Sequence, residues 1–281
     1  MPYTTSPDGV KLHYAVHDYT DPWKDAPVLI LQHGYGRSHR FWFNLIPYLG
    51  RFYKVVCPDM RGLGLSSKDF DLATGISVDR FVDDVGCIAD AVGVGRFHYA
   101  GESMGGIIGM ATAAMRPGRV RTLSLLSAPL HINTESQQLF KFGYATREEA
   151  MRTMGSKGWS EAVNTANRFP DGTDPGLMTW YADEMGKSDV EVLIALAKFN
   201  STADVSALLP RIEAPTLGLY PSNGVTASGD QQELLRRSVK HAQVVHLPGS
   251  HHMIWVTAPA TCAQQMLYFM ASQDGTVCHE A

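Results

Sequence analysis

Phe97-His98-Tyr99-Ala100-Gly101-Glu102-Ser103-Met104-Gly105-Gly106 is the stretch whose reading decides the fold. An apolar run ends at Ala100, a Gly-x-Ser-x-Gly pentapeptide follows, and a helix-like stretch extends over 106–115. Strand, sharp turn and helix in that order lift one serine hydroxyl to the crest of a bend. The flanking glycines have a steric job, because a Cβ at 101 or 105 would strike the neighbouring strand or helix. Ser103 itself must hold a strained backbone. A serine so placed is a candidate nucleophile. The pentapeptide alone also occurs by chance in chains rich in small residues, so its flanking context carries the reading.

Two other segments stand at complementary places. Upstream, Val28-Leu29-Ile30-Leu31-Gln32 has the composition of a buried strand and ends in His33-Gly34-Tyr35-Gly36. There the glycines let the chain turn and leave backbone N–H groups pointing inward, suited to a developing oxyanion. Downstream, another short apolar strand over 242–247 leads into Pro248-Gly249-Ser250-His251-His252-Met253. That places a histidine just past a strand end. A serine hydroxyl is a poor nucleophile near neutral pH and needs an imidazole in reach to take its proton and return it to a leaving group.

In order along the chain, the His33-Gly34 segment, the loop Asp59-Met60-Arg61-Gly62-Leu63-Gly64-Leu65-Ser66, the turn over 101–105 and the late Pro-Gly-x-x-His turn over 248–252 resemble the α/β-hydrolase family, in its small-esterase, enol-lactonase and C–C hydrolase branch. The resemblance implies that Ser103 is the nucleophile, that the N–H groups of Tyr35 and Met104 form the oxyanion hole, and that His252 is the base. His252 rather than His251 fits the family's Pro-Gly-x-x-His spacing. The activity implied is hydrolysis of a small carboxylic ester or lactone by acyl transfer, without a cofactor. Its rivals are C–C bond hydrolysis of a ring-cleavage product, a cofactor-free lyase or oxygenase, and a ligand receptor on the same scaffold.

The layout agrees. Alternating strand and helix patterns imply a mostly parallel twisted sheet with helices on both faces and ligands at the carboxyl ends of the strands, where the four motifs fall. The expected strands are 10–18, 28–32, 54–57, 97–100, 120–126, 215–220 and 242–247, with helices over 41–49 and 77–92. Between 128 and 210 only helix-like stretches appear, rich in Met and aromatic residues: an expected helical lid over a core formed by 1–127 and 211–281. Trp42, which follows the oxyanion turn, and Trp159 and Trp180 in the lid are candidate pocket residues. Arg147, Arg152 and Arg168 are candidate clamps for a substrate carboxylate.

Composition narrows the class. With 44% hydrophobic and 19% charged residues and a net charge of −4, nothing points to nucleic acid or an anionic membrane, and a small molecule is the expected partner, with homo-oligomerisation left open. A signal peptide and a long apolar span are both missing from the sequence, which reads as cytoplasmic. Cys57, Cys87, Cys262 and Cys278 lack C-x-x-C spacing, and the histidines form no H-E-x-x-H pair, so neither a disulfide framework nor a metal is expected.

One feature departs from the family. The loop after strand 215–220 reads Pro221-Ser222-Asn223-Gly224, and the other position relatives use, after 120–126, reads Ser127-Ala128-Pro129. Neither holds the acid that completes a triad. Asp230, a little further along, is the candidate acid if it curls back, although it equally suits a helix N-cap. Asn223 is the neutral alternative, and a Ser-His dyad helped by Glu135 or Asp204 is a third.

Overall fold

A computed structural model describes residues 2–249 and 251–276; Ser250 and Cys278 of the sequence reading lie outside them. The strands are β1 (Tyr3–Thr5), β2 (Lys11–His17), β3 (Val28–Gln32), β4 (Lys54–Pro58), β5 (Phe97–Glu102), β6 (Val120–Leu126), β7 (Thr216–Pro221) and β8 (Ala242–Leu247). They form one sheet in the order β1-β2-β4-β3-β5-β6-β7-β8. β1 and β2 run antiparallel to their neighbours and the rest are parallel, with Ile30 of β3 opposite Val56 on one side and Tyr99 on the other. Both faces of β3, β5 and β7 are covered, so every residue of these strands is buried. Strands buried on both faces read as continuous apolar runs, as 28–32 does.

Helices α1 (Ile46–Leu49), α2 (Val78–Ala91) and α3 (Met104–Met115) belong to the first half. Ser77 caps α2 by accepting a hydrogen bond from the Arg80 N–H at 3.3 Å, as its Ser-x-Asp start suggests. The single helix expected over 41–49 is instead a 3₁₀ turn, His39–Trp42, followed by the short α1. Pro47 explains the restart, since it has no N–H and is tolerated only in a first helical turn.

Between β6 and β7 lie α4 (Thr134–Leu139), α5 (Arg147–Val163), α6 (Pro175–Gly186) and α7 (Val190–Thr202). Sequence patterns split 147–167 into two helices. The structure runs α5 through Gly155, which takes a left-handed φ of 68°, and then winds into a π turn at Asn164–Arg168. After the sheet resumes, α8 (Gly229–Ser238), α9 (Ile254–Thr257) and α10 (Pro259–Asp274) complete the chain. Among the described residues no helix is long and apolar enough to cross a membrane.

Because β3 and β5–β8 are parallel, the segments that leave their carboxyl ends share one edge of the sheet. Those segments begin at His33, Ser103, Ser127, Ser222 and Pro248, and the helical insertion starts from the middle one.

Candidate active site

Ser103 occupies the bend between β5 and α3 with φ 52° and ψ −122°, a conformation that costs a non-glycine residue of order 1–3 kcal/mol. The turn is packed as its sequence requires. A Cβ on Gly101 would run into the carbonyl of Gly105, and one on Gly105 into the carbonyl of Gln32, so backbone meets backbone at both places. Tyr99 Oη donates to Gly105 O at 2.8 Å and braces the turn from below.

The Ser103 N–H is spent on Leu126 O at 3.1 Å, whereas among the described residues neither the Tyr35 nor the Met104 N–H has an acceptor. Met104 opens α3, so its N–H has no intrahelical partner by construction. Met104 follows Ser103 in the chain, and Tyr35 lines the same cavity as Ser103.

Glu102 ties the two loops together. Its carboxylate accepts from the Gly34 N–H and takes a two-pronged contact from Arg37, Nε to Oε1 and Nη2 to Oε2 at 2.5 Å each. Arg37 Nη1 donates to Tyr181 Oη at 2.9 Å, which links the same point to α6. Glu102 therefore faces a neighbouring loop and does not project toward the reacting centre. Nothing in the sequence pointed to Arg37, whose partner is 65 positions away.

His252 is buried and shares a cavity of about 40 Å³ with Ser103. The serine and the imidazole are not hydrogen-bonded to one another there; catalytic pairs often tighten only when the reacting group is bound. The imidazole is positioned by the insertion: the His252 N–H donates to Asn167 O at 3.1 Å and the Met253 N–H to Arg168 O at 3.2 Å. These carbonyls lie at the end of the π turn, a deviation often found at functional positions. Trp255 meets the ring edge to face, with centroids 5.8 Å apart. Burial holds the His252 pKa well below the usual histidine value, and the guanidiniums of Arg37 and Arg168 push it the same way.

The expected acid is not beside this imidazole. Asp230 is exposed in the first turn of α8, where Ser228 is the cap, and Asn223 is exposed with its N–H on Gly249 O at 3.1 Å. Neither side chain lines either cavity that touches His252, and neither Glu135 nor Asp204 does. The reason is local: the chain turns back at 221–224 and starts α8 with its acidic first turn toward water. A second cavity of about 10 Å³, room for about one water, lies beside His252 between Ser127, Asn167, Thr226 and the end of β7. Ser127 stands at the end of β6 with φ 48°, and its buried hydroxyl has no partner among the described residues. Thr226 Oγ1 accepts from Asn167 Nδ2 at 3.3 Å.

Of the three tryptophans, only Trp159 lines the Ser103 cavity. Trp42 points inward and packs on Trp255 at 6.1 Å, and Trp180 packs on Phe41 and Phe43 at the outer side of α6. The 3.6-residue period marks a buried face but not which buried face meets the cavity. The arginines divide similarly. Arg152 is exposed and paired with Glu191, while Arg147 and Arg168 enter the cavity wall. The aromatic rings of Tyr35, Phe140, Trp159 and Tyr181 lie 4.7–5.8 Å from their guanidiniums. Such contacts contribute about 2 kcal/mol when desolvated, less than the several kcal/mol that burial of an ion costs.

The glycine-rich 59–66 loop is a tie between loops. Asp59 accepts from the His39 and Leu65 N–H groups at 2.7 and 2.9 Å, and Arg61 is gripped by Asp84 and Asp8. His13, His39 and Asp59 approach closely enough to hold an ion. Both rings are already hydrogen-bonded to that carboxylate, which explains the cluster without a metal.

A strained serine between strand and helix, a histidine past the last strand and a helical insertion over both define an α/β hydrolase. The sequence profile of the alpha/beta hydrolase fold matches residues 27–259, and the chain belongs to that family. It is an enzyme, a hydrolase of this fold. It is 26% identical over 278 residues to a protein of Stutzerimonas stutzeri (strain A1501) named as a candidate carbamate hydrolase, RutD, with 95% of this chain and 99% of that one aligned. Among solved structures, a hydrolase from Pseudomonas aeruginosa PA01 superposes with a TM-score of 0.82 at 25% identity, covering 96% of this chain and 97% of that one. The enol-lactonase from Burkholderia xenovorans LB400 does so with 0.84 at 21% identity, covering 96% and 100%; at that identity it speaks for the fold alone.

Proposed function

We propose that the protein is a serine hydrolase of small carboxylic esters or lactones, acting by acyl transfer. The observation that carries this reading is that Ser103, held at a left-handed φ, and His252 line one buried cavity beside two unspent backbone donors. The Ser103 Oγ–H bond breaks as Oγ adds to the carbonyl carbon, and the proton passes to His252. The Tyr35 and Met104 N–H groups hold the oxyanion, a contribution of about 3–4 kcal/mol per donor. Collapse expels the alkoxide, which takes the proton from His252 and leaves an acyl-serine. Water repeats the sequence and frees the acid. A carbamate carbonyl would be attacked in the same way, so the name of the 26% identical relatives puts carbamates on the substrate panel. The test is p-nitrophenyl acetate: a burst of one p-nitrophenol per chain supports the reading, and steady turnover no faster than buffer contradicts it.

His252 acts without a carboxylate behind it. Ser127 and Thr226, through the water-sized space they share with the imidazole, take the orienting role. A neutral partner stabilises imidazolium poorly, and loss of the acid from a serine protease triad costs roughly 10⁴ in turnover. Activated esters and enol-lactones, whose leaving groups need little protonation, therefore suit this site. Ser127→Asp should raise kcat on unactivated esters by about tenfold or more, because aspartate tolerates a positive φ and would stand beside the base. An unchanged kcat in the folded variant would remove Ser127 from this role.

The pH profile follows from the same burial. Neutral imidazole is the active form, and its pKa is lowered, so activity should persist as pH falls through 6.5 and be lost only further into acid. A kcat/KM profile measured from pH 4 to 9 checks this; an acid limb centred at or above 6.5 contradicts it.

A further inference from the structure

Among the described residues, the wall of the catalytic cavity contains three guanidiniums, those of Arg37, Arg147 and Arg168, and no carboxylate. Arg37 is matched by Glu102, whose two oxygens are filled by Arg37 and the Gly34 N–H. The other two are not matched. Arg168 is 3% exposed, and its three hydrogen bonds all leave from Nη1 toward neutral acceptors: Ser160 O, Ser160 Oγ and Asn164 Oδ1. Arg147 is half-buried, its Nε is shut away from water without an acceptor, and neither arginine has an ion-pair partner among the described residues. Glu148 is close enough to act on Arg147 electrostatically but makes no ion pair with it.

The contrast lies within one helix. Arg152, farther along α5, reaches water and is held by both oxygens of Glu191, an ordinary surface pairing. Arg147 and Arg168, which border the cavity of Ser103, have no such acid among the described residues. Aromatic rings rather than carboxylates surround both guanidiniums, and ring contacts do not supply the in-plane acceptors that guanidinium N–H groups take from a carboxylate. Burial lowers the Arg168 pKa to about 10, still well above neutral, and pushes that of Arg147 down too.

We infer that the substrate carries a carboxylate, which Arg147 and Arg168 hold through N–H groups that no acid of the described residues occupies, while its ester or lactone carbonyl lies over Ser103. The inference rests on the acyl-transfer reading above and narrows it to anionic acyl compounds. A planar carboxylate matches planar guanidinium edges in a cavity of about 40 Å³ better than a bulkier tetrahedral phosphate does.

The comparison that tests it uses p-nitrophenyl hemisuccinate and its neutral isostere p-nitrophenyl 4-methylpentanoate. The wild-type protein should favour the anion in kcat/KM by about 10- to 100-fold, the range expected for charge-assisted hydrogen bonds. In Arg147→Met and in Arg168→Met that ratio should fall toward one. Should Arg168→Met fail to fold, Arg147→Met and the wild-type ratio still decide the matter. Equal or reversed preference in the folded wild type overturns the anion site while leaving acyl transfer intact. Binding of succinate to Ser103→Ala by calorimetry separates the two readings from the other side. Succinate bound to Ser103→Ala, when the folded wild-type protein turns over neither ester, supports the arginine pair and counts against acyl transfer. Failure of succinate to bind, together with no anionic preference, overturns the pair.

Discussion

Ser103→Ala should lower turnover of p-nitrophenyl esters by about 10²–10³ and abolish the burst entirely. The size follows from the missing acid. In a protease with a full triad, removal of the serine costs about 10⁶, whereas removal of the acid alone already costs about 10⁴ or more. An enzyme whose imidazole has no carboxylate behind it starts from the lower level, so the serine has less to lose before the oxyanion donors and simple binding are all that remain. A loss near 10⁶ would mean that some group in the folded protein stabilises the His252 imidazolium as well as a carboxylate does. Rates measured against the His252→Ala variant check the pairing, because two groups that act as a unit give losses that do not add.

Glu102→Leu should cost about 3–5 kcal/mol of stability, because it strands the buried Arg37 guanidinium without its counter-ion. For a chain of this size the melting temperature should fall by roughly 6 to 20 °C. Addition of Arg37→Met should recover most of it, since an apolar pair of similar volume is often as stable as a buried ion pair. Activity should not return with stability. Glu102 also accepts the Gly34 N–H, and without that tie the turn carrying the Tyr35 donor is no longer fixed against the turn carrying Ser103. Scanning calorimetry with p-nitrophenyl acetate kinetics on the single and double variants separates the two effects. Recovery of both in the double variant would show that the ion pair supports the fold and nothing more.

The parts of this molecule visible in its sequence were those set by local backbone chemistry. The run 97–106 announces strand, turn and helix because the glycines at 101 and 105 have no alternative to close packing. The parallel sheet was likewise legible from apolar runs such as 28–32, and the helical insertion from the change of period after Ala128. What stayed hidden depends on contacts between distant elements. β1 has only three residues and exists because β2 pairs with it, Tyr3 opposite His13. The choice among Trp42, Trp159 and Trp180 turned on how a 3₁₀ turn and two helices are rotated, which hydropathy does not encode. The family pattern puts an acid on the loop after β7, but here that segment leaves Asn223 and Asp230 exposed. The space beside His252 is closed by Ser127 from β6 and Asn167 from the insertion instead. Arg37 and the π turn that grips His252 left no local signature at all. Chemistry alone treats Arg147, Arg152 and Arg168 alike; only packing puts the first and last in the cavity wall and Arg152 at the surface.

The most direct test of the central claim is the mass of the peptide carrying Ser103 after the intact protein is treated with a fluorophosphonate. One phosphonyl group on Ser103, absent from His252→Ala over the same time, is the expected result. A folded wild-type protein that gains no mass at Ser103, or gains it equally fast without the imidazole, would contradict the account.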